Sequence, residues 1–399
     1  MKDIYIWGTG YFAEHVYSAI NTKECVVRGF IDSDKEKQGK LWNNRLVIYS
    51  PSQLVNLEYD FIILSMLKFE SVETNCNELG IEKNKVIAYW KDFDHIFRNR
   101  ALDSLEERRI RKIYEYRMDS APYEWGVKPV PKIESAEKLL KKIIQDKSSL
   151  CRFGDGEFEI MRGHIRPWFQ SVSETLKDRL IEVLNSYEEF INIAVAQNFV
   201  DLDKFKERDA DIIRAYMAHD TRKDIINFLD MKRTYYDAYV TRPYILYKNK
   251  RNAERLFPLF KKIWKDRSVI IVEGKYGRIG IKNDLFDASK SIKRVICPPR
   301  DAWMFYEKIK QTVIDIACRN DLICISLGPT ATVLAYDLAK IGYQAIDIGQ
   351  VDNEYDWYCM GADKRTSIKG KMVAEIKENN ELEDFIDSKY FSQIAAEIY

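Results

Sequence analysis

Short apolar runs alternate with stretches of helical periodicity along this chain, and the alternation occurs in two blocks separated by a charged, proline-containing stretch. In the first block residues 4–7 are an apolar run, a helical pattern follows to residue 20, and residues 26–31, 59–65 and 85–90 read as further buried strands. In the second block residues 136–144 make an amphipathic helix and residues 149–153 a strand. Residues 191–196, 268–272 and 322–327 are continuous apolar runs, the pattern of parallel strands covered on both faces. The last run leads through a glycine turn into an apolar-periodic helix to residue 341 and a strand over 343–349. Strands that alternate with helices specify an α/β chain with two Rossmann-like domains.

Between the blocks, residues 101–118 are charged and place Ile110, Ile113 and Tyr114 at helical spacing, which predicts a connecting helix. Pro122, Pro129 and Pro131 are then expected to break regular structure. The division that results is a small unit over 1–95, a helical linker over 96–131 and a larger unit over 132–399.

Composition narrows the partners. Lys plus Arg (63) nearly cancels Asp plus Glu (62), so no global field recruits nucleic acid or an anionic membrane. The 13% aromatic content, with 24 tyrosines, suits a protein that stacks on bases and sugars, and equally a large core. Seven cysteines, odd in number and never in a C-x-x-C pair, point to a reducing compartment without structural zinc. The first residues already read as a strand and a glycine turn, and no apolar run is long enough to cross a bilayer, so the sequence predicts a cytoplasmic protein without a signal peptide or transmembrane segment.

The densest candidate chemistry lies at Gly154-Asp155-Gly156-Glu157. Two carboxylates one residue apart, in extended or turning backbone, can aim hard oxygen ligands at one point and hold Mg2+ or Mn2+ with positions left for water and phosphate. A bare Asp-x-Glu is also a common solvated acidic turn. In the first block Gly8-Thr9-Gly10-Tyr11-Phe12-Ala13, with Asp32 about twenty positions on, is a dinucleotide-type turn in which glycines admit a pyrophosphate and the acid holds a ribose. The same turn also serves packing alone. Gly328-Pro329-Thr330 opens a helix whose first amides can hold a phosphate. Arg242, fixed before a proline, and Arg278, with Lys275 in a glycine-rich basic loop after a strand, can neutralise a diphosphate or serve as internal ion pairs. Asn283 and Asp284 can hold ribose or sugar hydroxyls, or cap a helix.

From Arg152-Phe153-Gly154-Asp155-Gly156-Glu157, through Thr241-Arg242-Pro243-Tyr244, the 273–286 and 292–298 segments, Gly328-Pro329-Thr330-Ala331 and Asp347-Ile348-Gly349, the order of motifs resembles the GT-D-type glycosyltransferase domain over roughly 132–365. The first unit resembles small nucleotide-binding-like domains attached to sugar-modifying enzymes and some methyltransferases. The resemblance implies a metal-dependent transferase that uses a nucleotide-diphosphate sugar, typically UDP-glucose, with the family's Asp-x-Glu on Asp155 and Glu157. That family commonly carries histidine after Asp-Ile-Gly. Gln350 stands there instead, which implies weaker metal or sugar contact at that position.

On that reading Asp155 and Glu157 hold the metal, and Arg152, Arg278 and the Gly328–Thr330 helix start assist the leaving diphosphate. The base is open among Glu157, Asp347, Asp352 and Glu354. Asp352 or Glu354 is preferred, because a metal-held carboxylate has a lowered pKa. A glycan or glycoprotein acceptor would meet Trp168-Phe169-Gln170 or the aromatic run 355–358. Two competing readings remain. One is a nicotinamide-dependent oxidoreductase built on the Gly8/Gly10 turn, for which the first unit lacks a Tyr-x-x-x-Lys pair; the other is a non-catalytic nucleotide-sugar sensor or scaffold.

Overall fold

The computed structural model of the chain describes residues 1–10, 12–66, 69–90, 96–97, 105–164, 170–171, 173–373, 376, 382 and 386–399, without the side chains of residues 70, 71 and 105–109. Tyr11, Trp168 and Phe169, named above, lie outside the described residues. The chain divides into two compact units, Met1–Asp119 and Ser120–Tyr399.

In the first unit six strands form one sheet: β1 (Lys2–Trp7), β2 (Cys25–Ile31), β3 (Leu41–Trp42), β4 (Leu46–Tyr49), β5 (Phe61–Leu64) and β6 (Val86–Ala88), in the order β3-β4-β2-β1-β5-β6. All pairings are parallel except the β3/β4 hairpin. Both faces are covered. Ile4 and Ile6 of β1 enter one apolar cluster with Val16 and Phe30, while Tyr5 and Trp7 enter another with Ile31 and Leu64, the period-two alternation of a strand.

The charged stretch is helical over Leu105–Glu124, and Ile110 is buried in the first unit's core. Pro122 does not break it as the sequence suggested. It sits in the last turn, where it forfeits one amide bond, and its carbonyl accepts from Val127 N and Lys128 N as the helix closes.

The second unit is built on nine strands: β7 (Lys132–Glu134), β8 (Ser149–Phe153), β9 (Ile191–Val195), β10 (Thr234–Asp237), β11 (Ser268–Gly274), β12 (Ser291–Cys297), β13 (Leu322–Ser326), β14 (Gln344–Asp347) and β15 (Ile394–Glu397). Their order is β15-β12-β11-β13-β14-β8-β9-β10-β7, and every pairing is parallel. The expected α/β class with parallel sheets holds for both units. Val269–Val272 and Leu322–Ile325 are all buried, as strands covered on both faces require. The Ala136–Asp146 helix is capped by Ser135, whose side chain accepts from Lys138 N, and it buries Leu139, Leu140 and Ile143. Because all nine strands point the same way, their carboxyl ends share one edge. In open α/β sheets that edge is where ligands bind.

Candidate active site

At the middle of that edge β8 ends on Arg152 and Phe153, and β14 ends on Asp347. The Arg152 guanidinium donates from Nη2 to Asp347 Oδ1 (3.1 Å) and from Nε to the Asp347 carbonyl oxygen (3.2 Å). Asp347 Oδ1 also accepts from Gly349 N at 3.0 Å. Burial pushes the Asp347 carboxyl up, and Arg152 opposes the shift. Gly349 has φ +44°, and a Cβ there would stand 2.2 Å from Arg152 Nη2 and 2.9 Å from Thr241 Oγ1, so only glycine fits.

After β8 the chain turns into a helix at once. Asp155–Met161 is α-helical with Gly154 as N-cap, and Glu157 Oε2 accepts from Gly154 N at 2.7 Å, half of a capping box. This corrects the expected geometry of the Asp-x-Glu pair. In a helix, side chains two residues apart diverge by about 200° rather than aiming at one point. Asp155 is exposed, whereas Glu157 is buried and turned back on its own helix. Burial raises the Glu157 carboxyl to about 7, with Arg152 opposing and Asp347 adding to the shift. A hard cation is therefore suited by Asp155 with water around it, and Glu157 does not share the ion in this arrangement. Among the described residues no group of three or more His, Cys, Asp or Glu is placed to hold a metal.

A second helix start meets the first. Pro329–Lys340 begins after Gly328, and a Cβ on Gly156 would lie 3.7 Å from Pro329 Cγ. Two helix N-termini, each carrying partial positive charge, thus converge beside Asp155. Thr330 is fully buried and donates from Oγ1 to Gln170 Oε1 (3.1 Å), and Thr332 Oγ1 donates to the Arg152 carbonyl (2.8 Å).

The segment after β10 forms the other wall. Asp237 Oδ1 accepts from Tyr239 N (2.9 Å), and the Tyr239 hydroxyl donates to Asn198 Oδ1 (2.9 Å). Burial, and then the negative charge of Asp155, holds the Tyr239 phenol well above its usual value. The half-buried Arg242 lies near enough to act electrostatically on both Tyr239 and Glu354, as does Arg365, which the sequence did not single out. Among the described residues Thr241 Oγ1 and Glu354 Oε1 are buried without a hydrogen-bond partner.

The remaining predicted site residues are placed elsewhere or engaged. Glu354 Oε2 accepts from Tyr244 N (2.9 Å) and Ile245 N (2.8 Å) and so pins the turn after Pro243. Asp352 accepts from Gly280 N (2.9 Å), Asn283 Nδ2 (2.9 Å) and Lys371 Nζ (2.6 Å), and Lys371 also reaches Asp356 at 2.6 Å. Asp352 is engaged by three donors, and Glu354, although its Oε1 is unpaired, is 0% exposed and held by two amides at Oε2, so neither is presented to an acceptor as a base. Arg278 turns away from a diphosphate, because its guanidinium donates to the carbonyls of Gly370 (2.5 Å) and Leu382 (2.6 Å). Asn283 bridges Asp352 and Asp356, while Asp284 accepts from Lys261 (2.8 Å) and Tyr355 (2.5 Å), so this pair braces the Val351–Cys359 helix. Gln350 is the N-cap residue of that helix and accepts from Asn353 at 2.7 Å. His164 packs on Glu159 (3.1 Å).

In the first unit Gly8 has φ +104°, and a Cβ there would fall 2.6 Å from Ser65 Oγ. Gly10 faces open space. Asp32 Oδ2 accepts from Thr9 N (3.1 Å) and from the Thr9 hydroxyl, which closes the turn on itself instead of presenting the acid to a ribose. Partial burial opposes the ionised form of Asp32, yet the bonds from Thr9 and Asp34 N and the charge of Lys37 hold its pKa below the usual value.

The family model for the glycosyltransferase GT-D fold matches residues 150–376, more than half of the chain and the carboxyl ends of β8 to β14. The chain belongs to the GT-D glycosyltransferase family. A second model, C2185-like N-terminal, matches residues 1–87. The second unit is similar to a probable glycosyl transferase Gly of Streptococcus gordonii, 36% identical over 267 residues (66% of this chain, 38% of that protein). It is also similar to glycosyltransferase GlyD of Streptococcus pneumoniae serotype 4, 35% identical over 268 residues (67% of this chain, 32% of that protein). The match therefore spans about a third of the length of these curated relatives. Among solved structures, the domain of unknown function 1792 described as having a distinct glycosyltransferase fold aligns with TM-score 0.63 and 32% identity over 73% of this chain and 99% of that one. A glycosyltransferase of the same domain type from Streptococcus sanguinis aligns with TM-score 0.64 and 34% identity over 68% of this chain and 100% of that one. No helix among the described residues is long and apolar enough to cross a membrane.

Proposed function

We propose that this chain transfers a hexose, glucose in the first instance, from a UDP-sugar to a glycan or glycoprotein acceptor, in a cytoplasmic setting. The observation that carries the reading is the convergence of Asp155 with two helix N-termini, where Gly156 lies against Pro329. Such an arrangement favours an anionic leaving group, and the carboxyl edge of an open α/β sheet is where ligands bind.

In this reading Asp155 is the residue that would hold Mn2+ or Mg2+. Bound there, the cation supplies a Lewis acid for the departing diphosphate. Arg242 and the Gly328–Thr330 helix start carry the rest of the diphosphate charge, in place of Arg278. Glu157 takes the base role in place of Asp352 and Glu354, because it accepts one hydrogen bond, from Gly154 N, where they accept three and two. Arg152 is a positioning residue that fixes Asp347 beside Glu157.

The test is UDP release from a panel of UDP-sugars with Mn2+, with Mg2+ and with chelator, for the wild type beside Asp155→Ala. Chelator-sensitive release with one sugar, lost in the variant, is the expected result. Absence of both release and metal-dependent UDP binding would overturn the reading.

A further inference from the structure

A pocket of about 690 Å³ opens beside the carboxyl edge, lined among others by Thr175, Arg179, Trp303, Tyr306, Lys310 and Asp337. Its volume lies in the range of small-ligand sites. We propose that this pocket is a subsite for a pyranose ring of the acceptor glycan, with Trp303 as the stacking platform and the Arg179–Asp337 pair as the hydroxyl-reading floor. The inference rests on the transferase reading above and adds the place where its acceptor is held.

Three features carry it. First, Trp303 is half-exposed yet fixed at its polar atom: Nε1 donates to Thr175 Oγ1 at 3.1 Å, and the ring lies 4.5 Å from that of Tyr306, centroid to centroid. A partly exposed indole held in one orientation offers apolar area at little cost in side-chain freedom, which suits the C–H face of a sugar.

Second, the floor is polar and already ordered. Asp337 binds Arg179, accepts from the Tyr306 hydroxyl at 2.5 Å and has Lys310 at 3.6 Å. A sugar hydroxyl both donates and accepts, so a paired guanidinium and carboxylate serve it without requiring a charged ligand.

Third, the pocket is joined to the candidate active site through one side chain. Gln170 Oε1 accepts from Trp303 N (3.3 Å) and from Thr330 Oγ1 (3.1 Å), and Thr330 follows Pro329, whose Cγ would lie 3.7 Å from a Cβ on Gly156. Asp337 lies seven residues further along the same helix, about 10 Å from that start. The pocket is thus placed for a ring removed from the reacting hydroxyl, not for the reacting ring itself.

The experiment uses the full chain labelled with 5-fluorotryptophan. Its eight tryptophans give a small set of 19F signals, and Trp303→Phe assigns the one of interest. Cellobiose, lactose and diacetylchitobiose are titrated without donor, and UDP separately. Saturable movement of the Trp303 signal with one of these disaccharides, and none with UDP, is the expected result. Movement with UDP would make the pocket a base site and overturn the proposal, as would no saturable shift with any of the three sugars. In transfer assays Trp303→Ala should raise the half-stimulating concentration of that disaccharide about tenfold, with the KM for UDP-sugar unchanged; an unchanged acceptor dependence would overturn it too. If the wild type releases no UDP from any donor, the transferase reading fails by itself, and the donor-free 19F titration still decides the pocket.

Discussion

Arg152 clasps Asp347 from two sides, 3.1 Å from its carboxylate and 3.2 Å from its carbonyl, and so ties the end of β8 to the end of β14. Asp347 is 2% exposed at its side chain and Arg152 17%, so the pair is screened little by solvent. Removing the cation leaves a buried carboxylate uncompensated. Arg152→Ala should cost about 3–5 kcal/mol of stability, read as a lower urea midpoint with an unchanged m-value. Arg152→Ala/Asp347→Asn should recover part of that loss, because the uncompensated charge is gone.

Glu157 should make stability depend on pH. Its carboxyl is raised from 4.5 to about 7 by burial, so the folded state binds the proton more tightly than the unfolded chain. The associated stability is therefore full below about pH 4.5 and is lost as pH rises through about 7. Glu157→Gln, which keeps an oxygen for Gly154 N, should flatten that slope and gain on the order of 3 kcal/mol above the window. Thermal unfolding across pH, wild type against variant, checks it.

Lys371 is 2% exposed and sits between Asp352 and Asp356, the latter carboxyl raised to about 6 by burial and by its acidic neighbour. Lys371→Met leaves two carboxylates buried together. The loss should be about 3–5 kcal/mol at neutral pH and smaller near pH 5, where protonation relieves the repulsion. Urea midpoints at the two pH values decide the sign.

Arg278 offers a way to separate bracing from donor binding. Arg278→Ala releases the carbonyls of Gly370 and Leu382. It should speed amide exchange at Met372, whose N–H bonds Tyr276 O, while the KM for the UDP-sugar changes by less than about twofold. A large rise in donor KM with unchanged exchange would restore Arg278 to the diphosphate.

Asp155→Ala should lower transfer at least about 100-fold. Its cost to stability should stay within about 1 kcal/mol, the worth of one carboxylate at a helix N-terminus. Activity and denaturation midpoints measured on the same preparation test both halves.

Much of this fold is legible in the sequence because long buried strands announce themselves. Val269–Val272 and Leu322–Ile325 are unbroken apolar runs, and the strand–turn–helix at Gly328-Pro329 reads locally. The short strands β3, β7, β10 and β15 have two to four residues each and carry too little pattern to stand out. The Asp155/Glu157 geometry departs from its sequence pattern for a specific reason. Glycines on both sides suggested a turn, yet an acid three residues after Gly154 is a helix-start signal, and Glu157 follows it by capping. What local pattern cannot carry is long-range engagement. Asp352 looks like an available acid until Lys371, 19 residues on, is seen against it, and Trp303 gains its role from Gln170, 133 residues earlier.

The place of β8 in the middle of its sheet also governs how the chain must be made. Its neighbour β14 arrives late, with Arg152 and Asp347 separated by 195 positions. At a synthesis rate of about 5–20 residues per second, roughly 10–40 s pass before that edge can be covered. During this interval the nascent chain presents an unpaired, apolar strand edge of the kind that pairs with other chains. Vectorial synthesis therefore leaves that edge of β8 uncovered until residues 344–347 have emerged, which makes the order of synthesis itself an aggregation hazard for this unit.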